Sequence, residues 1–186
     1  MTEDSPAADS MAIAPDEKDW TWTLTQACPE CGFVAGAVEG SQIADLITAV
    51  TQPWGEVLRR EAARVRPEPT TWSPLEYACH IRDVCTVFEA RLELMLTQEN
   101  PAFANWDQDE IAVQERYGEQ DPAQVAQELA AAAAAFASRY AGVTGAQWDR
   151  AGVRSNGSRF TVLTLGQYGL HDLRHHLHDV DAAPAA

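Results

Sequence analysis

Histidine residues are concentrated near the C-terminal end of this sequence. His171, His175 and His178 are spaced so that they share one face of a helix, whereas His176 points away from that face. The pair His171 and His175, one helical turn apart, could hold one metal ion from a single helix. The alternative is that the pair is a surface feature near a helix C-terminus, where the helix dipole favours a protonated imidazole.

A metal site of this kind needs a further ligand from another element. His80 is the one histidine outside the C-terminal group, and it flanks the apolar stripe of an earlier predicted helix. Helical bundles build metal sites from side chains on facing helices. Three histidine ligands would leave a coordination position open, as catalytic zinc sites do. We therefore predict a metal site formed by His80, His171 and His175. Three neighbouring polar residues are expected to be solvated or to form hydrogen bonds with these ligands. They are His178, Asp172 and Asp179.

A Cys-x-x-Cys motif, Cys28 to Cys31, is the second candidate for chemistry. Such a motif can be half of a zinc site or a redox pair. A closed tetrahedral site needs two more ligands, and the sequence contains no second Cys-x-x-Cys; a thioredoxin-type role needs a βαβ context, which is missing. We expect a turn with packed thiols, and the alternatives are a metal or redox role or a place at the rim of a pocket.

Aromatic and acidic residues precede the third predicted helical segment. Trp106, Asp109 and Tyr117 could line a pocket above the metal. The alternative is that they are packing and turn residues, with Asp107 capping the next helix. The sequence identifies no catalytic residue beyond these candidates.

Four helical segments are expected to position these residues. The first begins near Ser41 and is kinked or split by Pro53. The second has the clearest start signal: Ser73-Pro74, with Glu76 completing a capping box, and it runs to about Thr97.

The third segment opens near Trp106 and restarts at Asp121-Pro122, and its apolar residues continue to Tyr140. A hairpin-type turn at 154–158 precedes the fourth helix, which runs from about Thr164 to Val180. The architecture that follows is an all-α, antiparallel four-helix bundle with a short irregular or hairpin connection before the last helix. We predict a disordered acidic tail (1–19), an N-terminal extension with the cysteine pair (20–40), the bundle (41–180) and a second disordered tail (181–186).

Composition and charge exclude several classes of function. The chain has 186 residues and a formal net charge of −15, which argues against nucleic acid and anionic lipid as partners. It has no apolar run long enough to span a membrane and no secretory signal, so a cytoplasmic location is expected.

The segment Trp72-Ser-Pro-x-Glu-x-x-x-His80, followed much later by His171-x-x-x-His175, resembles the DinB-like superfamily over about residues 40–180. That superfamily includes mycothiol-dependent maleylpyruvate isomerases and bacillithiol and related low-molecular-weight thiol transferases. The resemblance implies an up-down-down-up four-helix bundle, often homodimeric, in which His80, His171 and His175 bind a divalent metal, commonly zinc or nickel. The Cys-Pro-x-Cys-Gly segment is outside the general family pattern and resembles a feature of an actinobacterial subgroup.

The function expected from these features is that of a metal-dependent enzyme with a small-molecule substrate. It would use a low-molecular-weight, mycothiol-like thiol for S-transfer to, or isomerisation of, a small electrophile. The alternative is a non-catalytic, metal-containing binding or stress-response bundle, and a further alternative is a bundle that binds no metal.

Overall fold

The computed structural model describes residue 13 and residues 20–182 of the chain. The predicted disordered tails lie outside the described residues, apart from positions 13, 181 and 182. Within the described part of the chain, no helix is long and apolar enough to cross a membrane.

Helices dominate the described residues. The α-helices there are α1 (Ile43–Thr51), α2 (Trp54–Val57), α3 (Pro74–Thr97), α4 (Gln108–Gln114), α5 (Pro122–Ala141) and α6 (Val162–Asp179). Two short antiparallel strands, β1 (Ala151–Val153) and β2 (Arg159–Thr161), form a hairpin directly before α6. Helices α1 and α3 each pack against both α5 and α6. The predicted four-helix bundle with a hairpin connection before its last helix is therefore confirmed.

Local sequence signals determine where the long helices begin. Ser73 caps α3, because its hydroxyl accepts a hydrogen bond from the Glu76 backbone while the Glu76 carboxylate accepts one from the Ser73 backbone. Asp121 caps α5 by accepting hydrogen bonds from two backbone N–H groups of the first turn. Pro53 lies between α1 and α2, which is the predicted split of the first segment.

The last helix packs unusually closely against its neighbours at Gly166. A Cβ atom at this position would lie 2.7 Å from the Ile43 side chain and 2.8 Å from the Tyr140 hydroxyl. The Tyr140 hydroxyl itself donates a hydrogen bond of 3.0 Å to the carbonyl of Val162 at the start of α6. The close approach at Gly166 sets the distance of α6 from α1 and α5 at this point.

Candidate metal centres

Helix α6 carries two polar pairs, each separated by one helical turn. His171 and His175 form one pair, and Asp172 and His176 form the other. Because the second pair is displaced by one residue, it points about 100° around the helix from the first. The two pairs therefore serve two different groups of side chains.

The first group, the cysteine–histidine cluster, consists of Cys28, Cys31, His171 and His175. Each of the four residues offers a ligand atom, and these atoms all lie within 4.8 Å of one another. Cys28 Sγ is 3.7 Å from Nδ1 of His175. Both cysteines are free thiols, and of the four residues only Cys31 is partly exposed.

A tight turn places the two thiols of this cluster. The Gly32 N–H donates to the Cys28 carbonyl at 2.8 Å, and the Cys28 N–H donates to the Phe33 carbonyl at 3.0 Å. Gly32 has a φ angle of +70°, a conformation that glycine adopts without steric penalty. The sequence-based expectation of a turn here is met, and the turn delivers the thiols to α6.

Burial sets the protonation states in the cysteine–histidine cluster. Burial and, to a smaller extent, the neighbouring His175 together lower the pKa of His171 to about 4. Burial also lowers the pKa of His175, so both imidazoles are neutral at pH 7 and able to coordinate a metal. Burial raises the pKa of the Cys31 thiol to about 11, and its proton would have to leave on metal binding.

The second group, the histidine–aspartate cluster, consists of His80 on α3 and of Asp172 and His176 on α6. Their ligand atoms also lie within 4.8 Å of one another. Asp172 Oδ1 is 3.1 Å from Nε2 of His176 and 3.6 Å from Nε2 of His80. His80 is completely buried, yet neither of its ring nitrogens has a hydrogen-bond partner among the described residues.

Charge is balanced within the histidine–aspartate cluster. Burial alone would raise the pKa of Asp172, but the close contact with His176 and the charge interactions with His80 and His176 hold that pKa well below its usual range. Burial alone would lower the pKa of His176, but Asp172 and Asp179 outweigh it and raise the pKa to about 9. Without a metal, Asp172 is therefore a carboxylate that lies beside the imidazolium of His176.

Aromatic rings enclose both clusters. Trp106 stacks on the His80 ring with a centroid distance of 5.6 Å and an interplanar angle of 9°. The Trp72 ring lies 5.3 Å from the His80 ring, and the Trp20 ring lies 5.1 Å from the His175 ring. Rings in these positions lower the local dielectric constant, which strengthens any charge interaction there.

A cavity of about 280 Å³ lies beside the two clusters. Its lining combines aromatic and acidic side chains with a histidine from each cluster, and includes Trp20, Glu30, Trp72, Asp109, His175 and His176. Asp179 also lines it and connects the clusters: its carboxylate is 2.8 Å from Nδ1 of His176 and 3.8 Å from Nε2 of His175.

The structure divides the predicted ligand triad between the two clusters. His171 and His175 lie with the cysteines, whereas His80 lies with Asp172 and His176. His178 is half exposed and belongs to neither cluster, as expected.

Sequence reasoning overlooked two ligand patterns. The pair Asp172 and His176 has the same i, i+4 spacing as the pair that was selected. Moreover, a Cys-x2-Cys motif combined with a His-x3-His motif is the ligand spacing of closed zinc sites, even when the two halves are far apart in the chain.

The three predicted pocket residues occupy different places. Asp109 lines the cavity, and Trp106 covers one face of His80. Tyr117 is buried in the core, where its hydroxyl donates a hydrogen bond to Asp83 and its ring lies 6.3 Å from that of Trp72. Asp107 caps α4, as proposed for it.

Residues 35–180 match the family model of the DinB superfamily. The chain belongs to the DinB superfamily. The cysteine pair lies before the region that this model covers, whereas His80 and the polar residues of α6 lie inside it.

A solved structure of similar fold is that of YfiT from Bacillus subtilis, described as "a probable metal-dependent hydrolase with an unusual four-helix bundle topology". The two chains share 19% sequence identity with a TM-score of 0.65, and the match covers 77% of this chain and 83% of that chain. The comparison with curated proteins gives no match. The similarity to YfiT supports the DinB-type fold of the bundle.

Proposed function

We propose that the protein is a metal-dependent enzyme whose histidine–aspartate cluster holds a divalent ion beside the cavity. The observation that carries this proposal is the state of His80, which is fully buried with both ring nitrogens lacking hydrogen-bond partners among the described residues. A buried polar group in that state is costly. A metal ion shared with Asp172 and His176 would satisfy Nε2 of His80, the ring nitrogen that lies near Asp172, and so remove part of this cost.

The donor set fits a divalent transition metal. Two imidazoles and one carboxylate suit zinc or nickel, and the described residues supply no fourth protein ligand to this cluster. A set of three protein ligands is typical of catalytic sites, which keep one position for water or substrate. An ion held by His80, Asp172 and His176 would supply Lewis acidity, which would lower the pKa of a bound thiol or water molecule.

The surrounding residues have separable roles in this proposal. Asp179 accepts a hydrogen bond from Nδ1 of His176 and so aims Nε2 of that ring at Asp172. Trp106 and Trp72 exclude water from His80 and hold its ring in place. His176 lies on the cavity wall and would bring the cluster into contact with a substrate bound in the cavity.

The cavity lining supports a small neutral or cationic substrate. Glu30, Asp109 and Asp179 give the cavity an acidic wall, and Trp20 and Trp72 add apolar surface. Resemblance to the thiol-dependent members of the superfamily favours a low-molecular-weight thiol as the nucleophile, for transfer to or isomerisation of an electrophile. The description of YfiT as a probable hydrolase favours water as the second candidate.

Activity assays with two kinds of probe test the proposal. Zinc- or nickel-loaded protein is incubated with a small thiol and 1-chloro-2,4-dinitrobenzene, and separately with p-nitrophenyl acetate. We expect turnover in one assay, its loss on chelation and in His80→Ala, and its retention in His178→Ala, which alters an exposed histidine of neither cluster.

Thiol consumption would identify a thiol transferase, and ester cleavage alone would identify a hydrolase. Turnover that survives both chelation and His80→Ala would contradict the proposed metal centre. A tightly bound ion with no turnover across a broad panel of electrophiles and esters would favour the non-catalytic binding bundle.

A further inference from the structure

We infer that Cys28, Cys31, His171 and His175 form a closed zinc site that fastens the N-terminal segment to α6. This site is separate from the histidine–aspartate cluster and does not depend on the proposed function. Two of its ligands lie outside the region matched by the DinB family model.

The spacing of the ligand atoms in the cysteine–histidine cluster fits a tetrahedral zinc site. With zinc–sulfur bonds of about 2.3 Å and zinc–nitrogen bonds of about 2.0 Å, a sulfur and a nitrogen ligand of one zinc ion lie about 3.5–3.6 Å apart. The observed distance from Cys28 Sγ to His175 Nδ1 is 3.7 Å. All four ligand atoms lie within 4.8 Å of one another, so small side-chain adjustments close the site.

Both histidines present the atoms that a zinc ion requires. Nδ1 of His175 faces the thiol, while its Nε2 lies 3.4 Å from the carboxylate of Glu30. Zinc-bound histidines commonly give their second nitrogen to a carboxylate in this way. Nε2 of His171 is buried without a hydrogen-bond partner among the described residues, and a bound ion would satisfy it.

A redox role for the cysteines explains fewer of these contacts. A disulfide between Cys28 and Cys31 would leave the buried Nε2 of His171 unsatisfied. Zinc binding instead forms two Zn–S and two Zn–N bonds and releases the two thiol protons to solvent. It involves no change of oxidation state and requires no oxidant or reductant.

The zinc site would shape one wall of the cavity. Glu30 lies within the cysteine turn, and the Trp20 ring packs 5.5 Å from the ring of His171 and 5.1 Å from that of His175. Both Glu30 and Trp20 line the cavity. Attaching this segment to α6 therefore holds two cavity residues against the core of the bundle.

Cobalt substitution of the full-length protein tests this inference. We expect the cobalt protein to show intense thiolate-to-metal charge-transfer absorption and the visible bands of a tetrahedral ion. The Cys28→Ser/Cys31→Ser variant should lose the charge-transfer band and one bound ion per chain. The matched control is Cys85→Ala, which alters a buried free thiol outside both clusters and should keep the band and the ion.

The His80→Ala variant removes a ligand of the histidine–aspartate cluster, so X-ray absorption of the zinc-loaded variant reports on the cysteine–histidine cluster. We expect two sulfur and two nitrogen neighbours around the zinc ion. Absence of thiolate absorption in the wild-type cobalt protein would overturn the inference, whether or not the serine variant folds. Unchanged metal content in a folded serine variant would also overturn it. A sulfur-bound ion without His80-dependent turnover would support the zinc site while contradicting the proposed enzyme.

Discussion

Sγ of Cys28 lies 3.7 Å from Nδ1 of His175, although 147 positions separate the two residues in the chain. This contact joins the N-terminal segment to the last helix of the bundle. It involves the face of α6 that carries His171, whereas Asp172 and His176, about 100° around the helix, lie with His80. One helix therefore contributes to two adjacent clusters of different donor chemistry.

Asp179 should control the affinity of the histidine–aspartate cluster for metal. Its carboxylate is hydrogen-bonded to Nδ1 of His176, and loss of such a partner typically weakens metal binding about 10–100-fold. We expect Asp179→Asn to show a loss of this size in a zinc titration against a chromophoric chelator. The titration is done in the Cys28→Ser/Cys31→Ser background, so that one cluster is measured.

The control for this titration is Asp149→Asn, which alters an exposed carboxylate that contributes to neither cluster. It should leave the affinity unchanged. Equal affinities for the Asp179→Asn and Asp149→Asn proteins would show that Asp179 does not orient His176.

The ion pair between Arg66 and Glu76 should stabilise the start of α3. Glu76 is nearly buried, whereas the Arg66 side chain is about one-third exposed. We expect Arg66→Ala to lower the free energy of unfolding by about 1–2 kcal/mol, less than for a fully buried pair. The exposed pair Arg59 and Glu56 provides the control, since Arg59→Ala should cost less than about 0.5 kcal/mol. Denaturant unfolding measures the free energy of unfolding of both variants. Equal losses would contradict a specific stabilising role for the pair of Arg66 and Glu76.

The contribution of Arg66 should disappear at low pH. Burial alone would raise the pKa of Glu76, but the interactions with Arg66 and Ser73 outweigh it and hold the pKa below its ordinary value of 4.5. A depressed carboxylate pKa contributes stability above the ordinary pKa, and that stability is lost as the pH falls through the folded-state value. The difference in unfolding free energy between wild type and Arg66→Ala should therefore be constant above about pH 5 and shrink below pH 4. A difference that does not vary with pH would show that Arg66 acts through packing alone.

Gly166 should be required for the close packing of α6. Its missing side chain leaves room for Tyr140 and Ile43, and an added methyl group would overlap both. We expect Gly166→Ala to lower stability by about 1–3 kcal/mol, which corresponds to about 2–4 °C in Tm for each kcal/mol. Gly55→Ala is the matched control, because the nearest atom to its added methyl group would be 3.8 Å away. Its Tm should be unchanged or slightly raised, and an equal loss in both variants would contradict the packing argument.

The fold was predictable because its signals are local. Ser73, Pro74 and Glu76 specify the start of α3 through contacts within one turn, and Asp121 does the same for α5. The hairpin before α6 follows from turn residues at 154–158 in the same way. Each of these signals is contained within a few consecutive residues.

The site was only partly predictable because it depends on the rotation of α6. Residues His171 and Asp172 differ by about 100° around the helix, and the sequence alone does not determine which of them faces α3. That rotation depends on packing between distant parts of the chain, and Gly166 lies on the side of α6 that packs closely against Ile43 and Tyr140. Likewise, the role of the cysteine turn depends on where residues 28–31 meet the last helix, and no local sequence pattern encodes that position.

Locating the bound metal by anomalous scattering tests the central claim most directly. Crystals of the zinc-loaded protein are measured above and below the zinc absorption edge. We predict an anomalous peak between His80, Asp172 and His176, at about 2.0–2.2 Å from their ligand atoms. An ion bound by His80, His171 and His175, or an empty histidine–aspartate cluster in zinc-saturated crystals, would contradict the account.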